Sequence, residues 1–400
     1  MYDAIVVGAR VAGAPTAMLL ARRGHRVLMV DRAIFPSDTM STHYIHQPGV
    51  AALRRWGLLH RIKASGCPSI TTATMDLGSF ALTGWGPAVD GVLEAIAPRR
   101  TVLDQILVGA AREAGAEVRE EFTIDEILSK DGVVTGIRGH DAAGRHVIER
   151  ARIVIGADGM RSSVAAAVGA PTYHTKPALT CPYYSYWSGV HTTGVELYVR
   201  PGRAMVAIPT NDGLTCVVAQ RRAAEFPRFR ADIEGTFMET LAEAPDLLAR
   251  VRAGRREARW IGTADLPNFF RKPYGPGWAL VGDAGYHKDP ITGYGITDAF
   301  RDAEFLAEAV DTGLAGRLPM PDALAGYEAR RNEVAMPLYE FITDLARLDP
   351  SEEQQHLLAA LQGNPAQINR MWGVIDGTVP IADFFASDNI TRIMSDAQAA

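Results

Sequence analysis

The chain has 400 residues, 47% hydrophobic, 22% charged and 8% aromatic, the balance of a soluble globular protein of two or three cores, which excludes a collagen-like, coiled-coil or disordered molecule. Lys and Arg number 41 against 46 Asp and Glu, a formal charge of −5 without a basic domain, so no nucleic acid partner is expected. Cys67, Cys181 and Cys216 lie far apart and form no paired motif, which argues against disulfides and a zinc site and fits a reducing cytoplasm; no apolar run is long enough for a membrane span.

Ala4-Ile5-Val6-Val7 reads as a buried strand, Gly8 to Gly13 as a glycine-bearing turn, and Ala14 to Arg23 as a helix stopped by Gly24. Val27-Leu28-Met29-Val30 is a second apolar run ending in Asp31, parallel to the first if the helix is a right-handed crossover. Leu103 to Ala114 places Leu103, Ile106, Leu107 and Ala110 on one helical face, and the strand-like Glu117 to Arg119 follows. Ile124 to Ile148 alternates as a small sheet with turns at Asp131-Gly132 and Ala143-Gly144, before a buried strand from Arg152 to Ile155.

From Tyr173 to Gln220, short runs rich in Tyr, Val and Thr predict a separate antiparallel sheet. On it Tyr184 and Tyr186 share one face, with Tyr183 and Trp187 on or near the other. Phe226 to Arg256 reads as helical and Trp278 to Val281 as a further buried strand. A strong helix begins at Gly295, with Ile296, Ala299, Phe300, Ala303, Leu306, Ala307 and Val310 on one face and Arg301, Asp302, Glu304 and Glu308 on the other. The end of the chain is a helical cap broken near Pro350, Pro365 and Gly377; it either covers the substrate site or mediates a homodimer.

A dinucleotide phosphate site needs a tight turn, close backbone approach and a helix N-terminus aimed at the anion. Gly8-Ala9-Arg10-Val11-Ala12-Gly13 supplies the first and third, with Arg10 in place of the middle glycine, where it either crowds the phosphate or offers it a guanidinium. Asp31 ends the second strand, where a carboxylate accepts hydrogen bonds from a ribose. Gly8, Arg10, Ala12, Gly13, Asp31 and Arg32 are the first candidate cofactor contacts.

Two later segments complete a pattern: Ile155-Gly156-Ala157-Asp158-Gly159-Met160-Arg161-Ser162-Ser163-Val164 and Leu280-Val281-Gly282-Asp283-Ala284-Gly285. With the glycine turn, over roughly residues 1 to 345, they resemble the FAD-dependent monooxygenases of the para-hydroxybenzoate hydroxylase type and their relatives, the geranylgeranyl reductases and flavin-dependent halogenases. The resemblance implies an FAD pyrophosphate lined by Asp158 and Gly159 and flavin hydroxyls held by Gly282 and Asp283. It also implies an Arg-x-x-Leu contact at Arg100 and a flavin loop through Pro290, Gly293, Gly295 and Ile296, whose helix N-terminus faces charge developing on the reduced flavin. The implied fold is α/β with an α+β insertion. Its Rossmann-like FAD-binding domain comprises residues 1–75, 95–170 and 262–312, interleaved with an antiparallel-sheet substrate domain (76–94 and 171–261) and followed by a C-terminal helical region (313–400).

Pro290 falls one residue later than in the hydroxylases, a register closer to the reductases and halogenases, as is Phe35-Pro36. Yet Phe35-Pro36-Ser37-Asp38-Thr39-Met40-Ser41-Thr42 lacks the Lys, Cys and Gly of the reductases' Phe-Pro-Arg-x-Lys-x-Cys-Gly. Ala204-Met205-Val206-Ala207-Ile208-Pro209 lacks both tryptophans of the halogenases' Trp-x-Trp-x-Ile-Pro, and Lys63 is the one lysine between residues 35 and 100. The expected activity is therefore an NAD(P)H-dependent FAD monooxygenase that transfers oxygen from a C4a-hydroperoxyflavin to an aromatic or other electron-rich small molecule. Reduction of isoprenoid double bonds is the alternative and halogenation is third. Candidate catalytic residues are His43, His46 and His287, and candidate substrate contacts are Tyr184, Tyr186 and Met205; no metal is expected.

Overall fold

The computed structural model describes residues 1–399. Tyr2–Val7 lies parallel between Val27–Val30 and the last residues of His146–Gly156; Trp278–Leu280 and Glu117–Arg119 extend the sheet on either side. The central strand is apolar throughout because both of its faces are covered. Ala4 and Val6 meet the helices Gly13–Arg22, Arg100–Glu113 and Gly295–Leu314, while Ile5 and Val7 pack with Phe122, Val134, Ile137 and Val154 on the opposite side.

That opposite side is a three-stranded antiparallel flap of Thr123–Lys130, Val133–His140 and the start of His146–Gly156. Sequence alternation suggested that the small sheet ends before the strand at Arg152. In fact one 11-residue strand, His146–Gly156, serves both: it pairs antiparallel with the flap and then parallel with Tyr2–Val7.

The second large sheet is built on Thr180–Ser188, Thr215–Arg222, Arg203–Pro209 and Val195–Arg200, with Ala73–Asp76 and Ala81–Gly84 at one edge. It therefore takes Ala73 to Met75 from the stretch expected to belong to the nucleotide unit. Its alternation divides the aromatics as the sequence suggests: Tyr183 and Trp187 face Phe229 and Phe237 of the helical segment after residue 225, whereas Tyr184 and Tyr186 face the other way. Met205 is fully buried with Tyr183 and Phe237. It lies opposite Ala219, which lies opposite Tyr183, so it points to the helical side, away from Tyr184 and Tyr186, the other two candidate substrate contacts.

The C-terminal region divides in two. Met320–Leu345 packs along Gly295–Leu314, and the shorter helices Glu352–Ala360, Pro365–Asp376 and Ser387–Ala399 bring Leu361, Met371 and Trp372 over the Tyr184 side of the substrate sheet. Asp302 is fully buried where this long helix packs along the charged flank of Gly295–Leu314. There the Arg301 guanidinium binds the carboxylates of Asp298 (2.6 Å) and Asp302 (2.8 Å) and the Tyr286 hydroxyl (2.8 Å), and the Lys288 ammonium pairs with Asp298. Glu304 and Glu308 stay on the solvent side in ion pairs with Arg55 and Arg330. Among the described residues no helix is long and apolar enough to cross a membrane.

Candidate active site

Three glycine-bearing segments meet at the carboxyl ends of the parallel strands because side chains are excluded there. Gly8 has φ +100°, and a Cβ on it would lie 2.5 Å from the Ala157 carbonyl oxygen; one on Gly13 would lie 1.8 Å from the Gly8 oxygen. A Cβ on Gly282, at φ +61°, would lie 2.7 Å from that of Ala12. At Gly159 and Gly295, by contrast, a Cβ would meet nothing within 4 Å. The junction is thus closed where the segments touch and open along the Asp158-Gly159 turn and the start of the 20-residue helix at Gly295, where N–H groups are free for an anion. Ile296 is buried in the core beneath that opening.

The acidic candidates are held by backbone. Asp31, half-buried, accepts from the N–H groups of Ala9 (2.7 Å) and Ala33 (2.8 Å), and Arg32 beside it is exposed. One oxygen of Asp158 accepts from the Ser163 N–H (2.7 Å) and hydroxyl (2.8 Å), while its other oxygen is buried without a protein partner. Asp283 is exposed at the end of its strand. Two carboxylates at the open junction, one with an unsatisfied oxygen, and a helix N-terminus fit FAD, whose hydroxyls donate and whose pyrophosphate accepts.

Arg10 and Arg100, both candidate cofactor contacts, converge with their guanidiniums on Asp104, a residue the sequence reading missed. Arg10 Nη1 lies 2.6 Å from one Asp104 oxygen, and Arg100 binds both oxygens at 3.0 and 3.1 Å. Asp104 is fully buried. Arg10 also donates to the Ser37 hydroxyl at 2.7 Å, so its guanidinium is turned into the protein. The Arg100–Asp104 spacing, one helical turn, was the available signal.

The flavin loop is anchored to the substrate sheet. Pro290–Thr292 forms a single tight turn, and the buried Asp289 carboxylate accepts from the Ile291 N–H (3.1 Å), the Thr180 hydroxyl (2.7 Å) and the Gln220 amide (3.2 Å). Burial pushes this carboxyl up to about 6. Gly293, at φ +68°, is pressed against Tyr44.

The three histidines occupy different places. His287 Nδ1 is 2.6 Å from the Pro267 carbonyl, in the small sheet with Phe269. His46 is buried, Nδ1 3.2 Å from the Asp376 carboxylate and Nε2 2.9 Å from the Thr292 carbonyl, its ring between Tyr44 and Tyr294. It thereby joins the flavin loop to the last turn of Pro365–Asp376, a contact across more than 300 residues that no local pattern discloses. Asp376→Ala is expected to lower stability by about 1–3 kcal/mol by leaving a buried imidazole nitrogen unpaired, measured by urea unfolding; an unchanged midpoint would contradict this.

His43 is fully buried at φ +65°, an uncommon conformation for a non-glycine residue. Its Nε2 is hydrogen-bonded to the Tyr186 hydroxyl, and its Nδ1 is buried without a protein partner. Burial, with Arg100 and Arg99 nearby, holds its pKa well below the usual 6.5, so the ring is neutral. Burial raises the Tyr186 phenol, so the proton sits on oxygen and is donated to His43. The Arg99 guanidinium stacks 3.9 Å from the Tyr186 ring centre, and the Tyr184 hydroxyl accepts from the Ser41 N–H at 2.9 Å.

Residues 1–342 match the FAD binding domain family. The chain is 28% identical to digeranylgeranylglycerophospholipid reductase 2 of Methanothermobacter thermautotrophicus, covering 90% of this chain and 92% of that protein. It is 25% identical to rifampicin monooxygenase of Streptomyces venezuelae, covering 98% of this chain and 77% of the relative. Among solved structures, the myxobacterial chondrochloren halogenase CndH superposes with a TM-score of 0.80 at 21% identity, covering 100% of this chain and 97% of the other, which shows a shared fold.

Proposed function

The chain belongs to the FAD binding domain family and is an FAD-dependent oxidoreductase, and from that premise we propose that it is a monooxygenase that takes electrons from NADH or NADPH and places one oxygen atom of O2 on a phenolic or similarly electron-rich small molecule. The carrying observation is the buried His43–Tyr186 pair on the sheet face beside the flavin loop: a neutral imidazole hydrogen-bonded to a protonated phenol. Bound FAD supplies the electron transfer and oxygen activation. Gly8, Gly13 and Gly282 leave the backbone room to approach it; Asp31 and Asp283 would accept from its hydroxyls, and the Asp158-Gly159 turn would line its pyrophosphate. As a bound phenol becomes more nucleophilic, Tyr186 takes its proton while passing its own to His43 Nε2, so negative charge reaches the substrate without a water path. Tyr184 lies beside that pair, and the C-terminal helices exclude solvent over the same face.

Reduction of isoprenoid double bonds is the second reading, favoured by the reductase from Methanothermobacter thermautotrophicus. Against it, residues 35–42 contain no cysteine, and all three cysteines are buried in the protein. Lys63, the lysine considered for halogenation, pairs with Glu94 at the surface.

Asp283→Ala is expected to raise the dissociation constant for FAD about 10- to 100-fold through the loss of a charge-assisted hydrogen bond. Titration of apoprotein measures it, and unchanged affinity would remove Asp283 from the cofactor site. The function itself is tested by screening phenols for stimulation of NAD(P)H oxidation matched one-to-one by O2 uptake. No stimulation by any phenol, together with anaerobic saturation of a prenyl chain, would replace this proposal with the second reading.

A further inference from the structure

We propose that the flap carries a binding site for a single late transition-metal ion of the Zn2+ class, formed by Asp125, His140 and His146 at its tip. The three side chains come from three different strands and converge for identifiable reasons. His140 ends Val133–His140, His146 begins His146–Gly156, and the two stand directly opposite each other across the hairpin. Asp125 reaches them because the neighbouring strand is irregular: Ile124 pairs with Gly139 and Glu126 with Arg138, leaving Asp125 as an extra residue with no opposite number. A bulge of this kind re-aims a side chain, and here it turns a carboxylate over the two imidazoles.

The distances suit coordination. Asp125 Oδ1 lies 3.0 Å from His140 Nδ1, Asp125 Oδ2 lies 3.4 Å from His146 Nδ1, and one donor atom from each residue lies within 4.8 Å of the other two. Tetrahedral Zn2+, with ligands at about 2.0–2.2 Å, holds its donor atoms about 3.3–3.5 Å apart, so modest side-chain rotation closes the remaining gap. Two arginines of the flap are engaged elsewhere: Arg145 binds Asp141 at 2.7 Å and Arg138 binds Glu126 at 2.6 Å. The His146 side chain is 73% exposed, so an ion reaches the site from solvent, with water in the fourth position. Two imidazoles and a carboxylate select Zn2+ over Mg2+ or Ca2+, which take oxygen ligands. Bound there, the ion would clip together the three strands of the flap, on the side of the parallel sheet away from the helix that begins at Gly295.

Calorimetric titration of tag-free, FAD-loaded protein with ZnCl2 tests the site. One ion per chain is expected to bind with micromolar affinity, with no heat from MgCl2 and a rise in thermal midpoint on Zn2+ addition. His146→Gln and Asp125→Asn, at the surface, are each expected to weaken binding at least tenfold and abolish the midpoint shift while the FAD spectrum is retained. Absence of saturable one-to-one binding in the wild type would overturn the proposal, as would equal affinity in both variants.

Discussion

Replacing Tyr186 with Phe, or His43 with Leu, is expected to slow turnover of a phenolic substrate by about 10²–10⁴-fold while FAD stays bound. Tyr186→Phe is the cleaner change. It keeps the ring beneath the Arg99 guanidinium and removes only the hydroxyl that meets His43. A structural role for the pair would lower stability and leave the rate per folded, flavin-loaded enzyme near that of the wild type; a relay role lowers that rate itself. The pH dependence separates the two further. His43 is buried near Arg100 and Arg99 and holds its proton less well than an ordinary histidine, so it stays unprotonated, and free to accept a proton, below pH 6.5. The acid limb of the rate profile is therefore expected below 6.5 and should be absent from His43→Leu. An acid limb above 6.5, or one retained in that variant, would assign the proton transfer to another group.

Asp104→Ala is expected to cost about 3–5 kcal/mol of stability, the scale for breaking a buried ion pair by removing one partner. Its carboxylate is fully buried and neutralises Arg100, itself 6% exposed, while also holding Arg10 from the glycine turn. Without it the buried Arg100 guanidinium loses its counter-ion and is left beside Arg10, whose side chain is 25% exposed. Urea unfolding of apoprotein and holoprotein reads the effect, and flavin affinity is expected to fall with it because Arg10 and the turn lose their anchor. A loss below about 1 kcal/mol would show that Arg100 finds another partner. Asp104→Asn is expected to be intermediate, since it keeps the hydrogen bonds and removes the charge.

The features legible in the sequence share one property: their physical cause is local. The run Ala4 to Val7 reads as a strand covered on both faces because it has no polar alternate. Gly8 and Gly282 announce themselves because an L side chain resists their positive φ and their neighbours leave no room for it. The division of Tyr184 and Tyr186 from Tyr183 and Trp187 follows from the two-residue period of a strand. What failed depends on contacts between distant segments. Nothing in the sequence of its own helix shows that Asp302 is buried where Met320–Leu345 packs against Gly295–Leu314. Met205 was grouped with Tyr184 and Tyr186 as a candidate substrate contact, whereas the register with Ala219 points it to the helices. The Asp376 contact with His46 and the bulge that aims Asp125 are likewise properties of assembled strands and helices.

The central claim is oxygen transfer by a flavoenzyme, and the reaction of the reduced protein with O2 tests it most directly. Holoprotein reduced anaerobically with NADPH or NADH, with a phenol bound, is mixed with oxygenated buffer while absorbance is followed and the product is analysed after the same reaction in 18O2. The expected result is reoxidation through a transient absorbing species, with one 18O atom in the product. Slow, featureless reoxidation that releases only hydrogen peroxide, with no label in any organic product across the phenol series, would contradict it.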